Sequence, residues 1–177
     1  ALGYNAHSKM SSTFLDLFDY DLYLSTDGGN TWNPVTITNP DTGVTEQFND
    51  IDVQTISNRL WLSTTNSFNS TPGGNFYYAE PDGTASIVRK TPTWTTTPTN
   101  IRRTEIAPSA TNTDTHYIIA SVNNEANLYK TTDDFATITT LNEPQDDEVG
   151  MSSTDFTRGQ SFYDLEIEVD PTDDNIV

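Results

Sequence analysis

Apolar and polar residues alternate in short runs along most of this chain, which is the period of a half-buried strand. Tyr20-Asp21-Leu22-Tyr23-Leu24 is the first clear run and Val35-Thr36-Ile37-Thr38 the next. Strands are expected over 20–25, 33–38, 48–54, 59–64, 75–79, 85–89, 103–107, 116–121, 127–131 and 137–141. Turn-forming residues separate them. Asp27-Gly28-Gly29, Ser57-Asn58 and Pro81-Asp82-Gly83 read as hairpin turns, and Asn39-Pro40-Asp41-Thr42-Gly43 as a loop. Phe14, Leu15, Leu17 and Phe18 cluster near a strand end, and Trp61, on an alternating strand, is expected in the core.

The strands recur as a unit. Thr104-Glu105-Ile106-Ala107 matches Ile51-Asp52-Val53-Gln54, and Tyr117-Ile118-Ile119-Ala120-Ser121 matches Leu60-Trp61-Leu62-Ser63-Thr64. Asn127-Leu128-Tyr129-Lys130-Thr131-Thr132-Asp133 matches Asp21-Leu22-Tyr23-Leu24-Ser25-Thr26-Asp27. A further copy opens at Tyr163-Asp164-Leu165-Glu166-Ile167-Glu168-Val169, with Val53, Ile106 and Val169 in register. Each copy holds four short strands, enough for one antiparallel sheet. The class is all-β.

Ser25-Thr26-Asp27-Gly28-Gly29-Asn30-Thr31-Trp32 is the most specific stretch. Glycine reaches positive φ without a Cβ clash, and an Asp heading the turn can accept its unpaired backbone N–H groups. Trp32 is expected to fold back as a buried apolar plug. The stretch resembles the Asp-box, or BNR motif, of β-propellers, matching at Ser25, Asp27, Gly29, Thr31 and Trp32. The 131–138 hairpin keeps Thr131 and Asp133, but has Phe135 where the motif has glycine and Ile138 where it has tryptophan. The middle hairpin keeps only Asp82-Gly83. Asp164-Leu165-Glu166-Ile167-Glu168-Val169-Asp170-Pro171-Thr172-Asp173-Asp174-Asn175-Ile176-Val177 is similar to blades of sortilin-like and sialidase-like propellers in large secreted proteins of the Bacteroidetes type.

The resemblance implies a β-propeller segment of antiparallel four-stranded blades. Two are full (48–90 and 103–141), 1–38 is a blade remnant, and 163–177 starts another. Propellers close with about four to eight blades, so a larger propeller is expected. In such families the box lies at the blade periphery, so it points to a fold and names no reaction.

Composition narrows the function classes. The chain has 177 residues, 33% hydrophobic, with formal net charge −18 and pI about 4.1. That charge opposes binding to nucleic acid or to an anionic membrane. No apolar run is long enough for a spanning helix. Cysteine is absent, which excludes disulfides and thiol chemistry. The chain starts at Ala1-Leu2-Gly3, as a processed or trimmed chain would, and its acidic, Thr/Asn/Asp-rich composition points to an extracellular or cell-surface setting.

On the propeller reading, loops 39–48, 66–74, 91–102, 122–126 and 142–162 share one face, and 55–58, 108–114 and the box turns share the other. Long loops on a rigid scaffold are where binding is expected. Phe68, Trp94, Arg102, Arg103 and Phe156 are the candidate partner contacts, since aromatic residues and Arg dominate interface energies. Trp94 is equally suited to stacking on a sugar and to plugging the gap between sheets. Asp52, Glu105 and Glu168 recur on the innermost strands, and inter-sheet hydrogen bonding is favoured over a cation or ligand ring. No cofactor and no metal site is expected. Asp146-Asp147-Glu148 and Asp170-Pro171-Thr172-Asp173-Asp174 have a composition that calcium accepts, but solvated acidic loops are the favoured reading. His7 and His116 stand alone, and Asn69-Ser70-Thr71 is a single glycosylation sequon.

Three functions remain. The favoured one is a non-catalytic propeller for recognition, adhesion or assembly, whose partner is a protein, a glycan or the remainder of a larger chain. The second is a glycoside hydrolase of sialidase or glucan-hydrolase type, with catalytic groups partly outside this segment. The third is a sortilin-like peptide receptor. No catalytic residue is assigned.

Overall fold

The computed structural model describes residues 2–4, 20–66, 72–80, 86–145, 148–149 and 155–177. The 14–18 apolar cluster, the Asp82-Gly83 turn, the sequon, Phe68, Asp146 and Asp147 lie outside the described residues.

Three sheets follow one another along the chain. The first joins β1 (Leu2–Tyr4), β2 (Tyr20–Leu24) and β3 (Asn33–Val35) in that order. The second is a four-stranded antiparallel meander of β4 (Gln47–Gln54), β5 (Arg59–Thr65), β6 (Phe76–Ala79) and β7 (Ile87–Lys90). The third comprises β8 (Thr93–Trp94), β9 (Ile101–Pro108), β10 (His116–Val122), β11 (Glu125–Thr131) and β12 (Thr137–Thr140), in the order β8-β12-β11-β10-β9. No helix occurs among the described residues.

The alternation predicts most of these strands to within two residues. Two were not anticipated, β1 and β8. β8 pairs with β12 in parallel, through Thr93 with Thr137 and Trp94 with Ile138, so the third sheet has five strands and is not purely antiparallel. β3 stops at Val35, because Thr38 leaves the sheet to bridge Thr45 across the 37–46 hairpin. β11 starts at Glu125, because Asn123 and Asn124 turn the chain in two residues at φ +52° and +71°. Both angles lie in the left-handed region that Asn tolerates best after glycine.

The sheets stack face to face in chain order, and alternate residues of each strand serve the two neighbours. Leu62 and Tyr77 join Leu22 and Phe48 between the first and second sheets. Trp61 and Phe76, on the opposite face, meet Ile106, Ile118, Tyr129, Phe135 and Ile138 of the third. Tyr117 and Ile119 face residues 163–177, which form no strand. That segment buries Leu165 and Val169 and exposes Glu166 and Glu168, the alternation expected from its sequence. Because both faces of β10 are covered, all seven of its residues are buried.

The turns at 25–32 and 131–138 share one hydrogen-bond pattern. Thr31 donates to Asp27 through its N–H (2.9 Å) and its hydroxyl (2.7 Å). Thr137 does the same to Asp133, at 2.8 and 2.6 Å. Ser25 and Thr131 each donate a hydroxyl to their Asp, and each accepts the N–H of the residue four positions on. These bonds to the charged form hold Asp27 down at about 2, the Thr31 hydroxyl contributing most, and lower Asp133 likewise, the Thr137 hydroxyl leading.

Their apolar residues behave differently. Trp32 is not the buried plug expected; it is 50% exposed, resting against Gly29 with its Cζ2 atom 3.7 Å from where a Cβ would stand. The first sheet has no preceding sheet among the described residues to cover this turn. Ile138, the counterpart, lies fully buried between the second and third sheets. Phe135 adopts φ +66°, which is costly for an aromatic residue. Its ring offsets that cost by filling the core, with its centroid 5.0 Å from Trp61, 4.9 Å from Phe76 and 4.8 Å from His116.

Candidate functional site

The connections separate to two ends of the stack. At one end, Gln54 Nε2 donates to the carbonyls of Asn112 and Thr113 (3.3 and 3.1 Å), and the Asp134 N–H donates to Asp114 O at 3.0 Å. This joins the 55–58 turn, the 109–115 loop and the 132–136 turn. At the other end, the exit of β5, the entry to β9 and the β10–β11 turn surround a cleft of about 370 Å³. Asn66, Pro72, Asn100, Ile101, Arg102, Asn123 and Asn124 line it.

The cleft floor is fixed by backbone. The Asn66 N–H donates to Arg102 O at 2.9 Å, and the Gly73 N–H to Ile101 O at 3.1 Å. This close approach requires the Gly73-Gly74 pair. A Cβ on Gly73 would fall 1.8 Å from Arg102 O, and one on Gly74 would fall 2.6 Å from Ile101 Cδ1. One wall is amide-rich. Asn100 Nδ2 donates to Asn123 Oδ1 at 2.8 Å, which leaves the Asn100 amide oxygen and the Asn123 amide nitrogen without a protein partner among the described residues.

Arg102 stands apart from the other basic residues described. Arg59, Arg89, Lys90, Arg103 and Arg158 pair with Glu80, Asp41, Asp134, Glu105 and Glu148 respectively. Lys130 lies over the Tyr117 ring, 4.6 Å from its centroid. Arg102 is exposed and has no acidic partner among the described residues.

The other anticipated contacts fall elsewhere. Trp94 is not presented to solvent as a platform. Held on β8, it packs edge-on to Tyr129 (5.1 Å between centroids) and against Phe76 (6.3 Å), so the gap-filling alternative describes it. Arg103 is half-buried, and its guanidinium is bound to Glu105. Phe156 packs against Ile119, Ala126 and Leu165. The sequence placed 66–74 and 122–126 on the loop-rich face but singled out neither the Gly73-Gly74 pair nor the Asn123-Asn124 turn; the paired dipeptides were the available signal.

The recurrent carboxylates divide. Glu105 accepts Asn49 Nδ2 from the second sheet at 3.2 Å. Among the described residues Asp52 accepts only its neighbour's N–H, from Val53 at 2.6 Å, and Glu168 is exposed. The inter-sheet acceptor missed in the sequence is Asp50, whose Oδ2 takes the Ile106 N–H at 2.7 Å. A register shift between Phe48 and Asp50 turns Asn49 toward the third sheet as well, where it also donates to Thr104 O at 2.8 Å. Burial pushes Asp50 up to about 6, with the charges of Asp52 and Glu166 adding to it and the Ile106 N–H opposing. Burial likewise pushes Glu105 up to about 7, helped by Asp50 and opposed by Arg103.

The carboxylates of 170–174 serve the chain itself. Asp170 accepts from Thr172 and Asp173, Asp173 from Asn175, and Asp174 from Ser109 and Thr111. Among the described residues, no group of three or more His, Cys, Asp or Glu is placed to hold a metal ion. His116 is fully buried, its ring 4.3 Å from that of Trp61, and loss of water pushes it down to about 3. No helix among the described residues is long and apolar enough to cross a membrane.

No family model and no curated protein sequence matches the chain.

Proposed function

We propose that this chain is part of an Asp-box β-propeller that recognises a partner at its cleft-bearing end and catalyses no reaction itself. The three stacked sheets, the two matching Asp-centred turns and the inward alternation of Leu165 and Val169, with Ile167 partly buried between them, support a repeating blade. The cleft carries the functional reading. It combines a backbone-fixed floor with exposed amide groups and a guanidinium that have no protein partner among the described residues, the attributes of a preformed binding site. The most perturbed carboxylates are committed to structure, Asp50 to the Ile106 N–H and Glu105 to Arg103 and Asn49. A glycosidase needs two carboxyl groups free to flank a sugar. The acidic composition supports an extracellular or cell-surface setting. A partner protein, a glycan or the remainder of a larger chain is the occupant class.

The test pairs binding with turnover. Purified protein is screened on immobilised glycans and peptides, and in parallel against sialosides and β-glucans for hydrolysis. The expected result is binding that is lost on changing Asn124→Arg in the cleft and retained on changing Ile56→Ser at the opposite end. Hydrolysis of any substrate, or binding that follows Ile56 in place of Asn124, overturns the proposal.

A further inference from the structure

We infer that the cleft between the second and third sheets binds an acidic saccharide, with Arg102 taking its carboxylate and the surrounding asparagines its hydroxyls. This rests on the recognition role proposed above and specifies its ligand.

Three features converge. First, a chain of net charge −18 has a surplus of carboxylates to neutralise its few cations. Five of the described basic side chains are so neutralised, yet among the described residues Arg102 has no acidic partner, and the other polar side chains lining its cleft there are uncharged amides. A guanidinium presents a planar fork of donors that fits one carboxylate bidentately. Second, amides offer a donor and an acceptor together, the pairing a sugar hydroxyl requires. The Asn100 oxygen and the Asn123 nitrogen supply one of each. Third, Ile101 and Pro72 add apolar surface that suits the C–H face of a pyranose.

The volume, about 370 Å³, lies at the lower end of the range for small-molecule sites, roughly 300–1,000 Å³. It accommodates a short oligosaccharide segment. The field of the whole chain repels polyanions, so the ligand carries isolated charges on an otherwise neutral glycan. The floor needs no rearrangement, because Gly73 and Asn66 already clamp the 101–102 backbone.

The test is titration calorimetry with an oligosaccharide bearing one uronic acid, its neutral parent, a highly sulfated polysaccharide and a peptide with a free C-terminal carboxylate. The uronate oligosaccharide should bind. The neutral parent should bind about tenfold or more weakly, the loss expected when a charge-assisted pair is removed. Arg102→Gln should produce a similar drop with an unchanged melting temperature, since the side chain is exposed. Asn123→Gly keeps the left-handed turn, removes the amide and should weaken both sugars. Equal affinity for the neutral parent, insensitivity to Arg102→Gln, tighter binding of the polysulfate or the peptide, or no saccharide binding at all would each overturn the assignment. Loss of saccharide specificity with a partner still held at this end defeats this inference alone. Cleavage of the oligosaccharide defeats the non-catalytic role as well.

Discussion

Asp50 accepts the backbone N–H of Ile106 across 2.7 Å, and by that bond β4, an edge strand of the second sheet, fastens β9, an edge strand of the third. The residues are 56 positions apart, so the bond closes a long loop. The carboxyl group that makes it is largely desolvated, which disfavours its charged form.

The first prediction concerns pH. Asp50 has a folded pKa of about 6 against an ordinary value of 3.8, so the folded protein holds this proton more tightly. Its contribution is fully present below about 3.8 and is lost as pH rises through about 6. Asp50→Asn keeps an oxygen for the Ile106 N–H and abolishes the titration. The variant should equal the wild type near pH 4 and be more stable by about 1–2 kcal/mol above pH 7. Urea melts at several pH values measure this, and an unchanged difference across the range would refute it.

His116 has the opposite sign. Its folded pKa lies at about 3, below the ordinary 6.5, so its contribution is present above 6.5 and is lost as pH falls toward 3. Among the described residues neither ring nitrogen has a partner within hydrogen-bond geometry, although the Thr113 backbone lies near enough to oppose the downward shift. His116→Phe should therefore stabilise the protein, with a gain that grows from pH 7 to pH 5. Thermal melts at the two values decide it.

The two Asp-centred turns differ in what they support. Asp27→Ala loosens an exposed turn, whereas Asp133→Ala loosens the turn that sets Phe135 and Ile138 into the core. The melting temperature should fall further for Asp133→Ala. The Asp27 carboxylate, held down at about 2, gives a contribution present above about 3.8 and lost as pH falls through 2. The gap between wild type and Asp27→Ala should therefore close in strong acid.

Phe135→Gly restores the glycine of the motif and relieves the positive φ. It should still destabilise the protein by about 2–4 kcal/mol, because emptying a buried aromatic site costs about 3–5 kcal/mol and the relief of backbone strain returns only about 1 kcal/mol. Chemical denaturation of the variant checks the sign. A more stable variant would show that the ring contributes less than its backbone conformation costs.

Trp94→Ala should lower stability by about 2–3 kcal/mol, less than for a fully buried Trp, and leave binding at the cleft unchanged. A large loss of affinity with no loss of stability would return Trp94 to the binding surface.

The amino-acid sequence by itself determined ten of the twelve strands described and their order in the chain, because burial on one face of a strand imposes a period of two that survives in any tertiary context. It also determined the Asp27 turn, whose partners all lie within four residues. The equivalence of the 131–138 turn was legible from Thr131 and Asp133 even though Phe135 and Ile138 break the motif, since only the hydrogen-bonding residues set the backbone there. The tertiary structure decided what depends on partners far along the chain. Trp32 and Ile138 occupy the same turn position, yet among the described residues only Ile138 has a second sheet to cover it. Sugar stacking and gap filling suit Trp94 equally in the sequence, until the two-residue β8 lays it against Tyr129. Asp50, not Asp52, reaches Ile106 because an irregularity in β4 resets which side chains face the next sheet. The cleft at Arg102 needed three connections brought to one end, and a guanidinium is free or paired according to neighbours that no local pattern specifies.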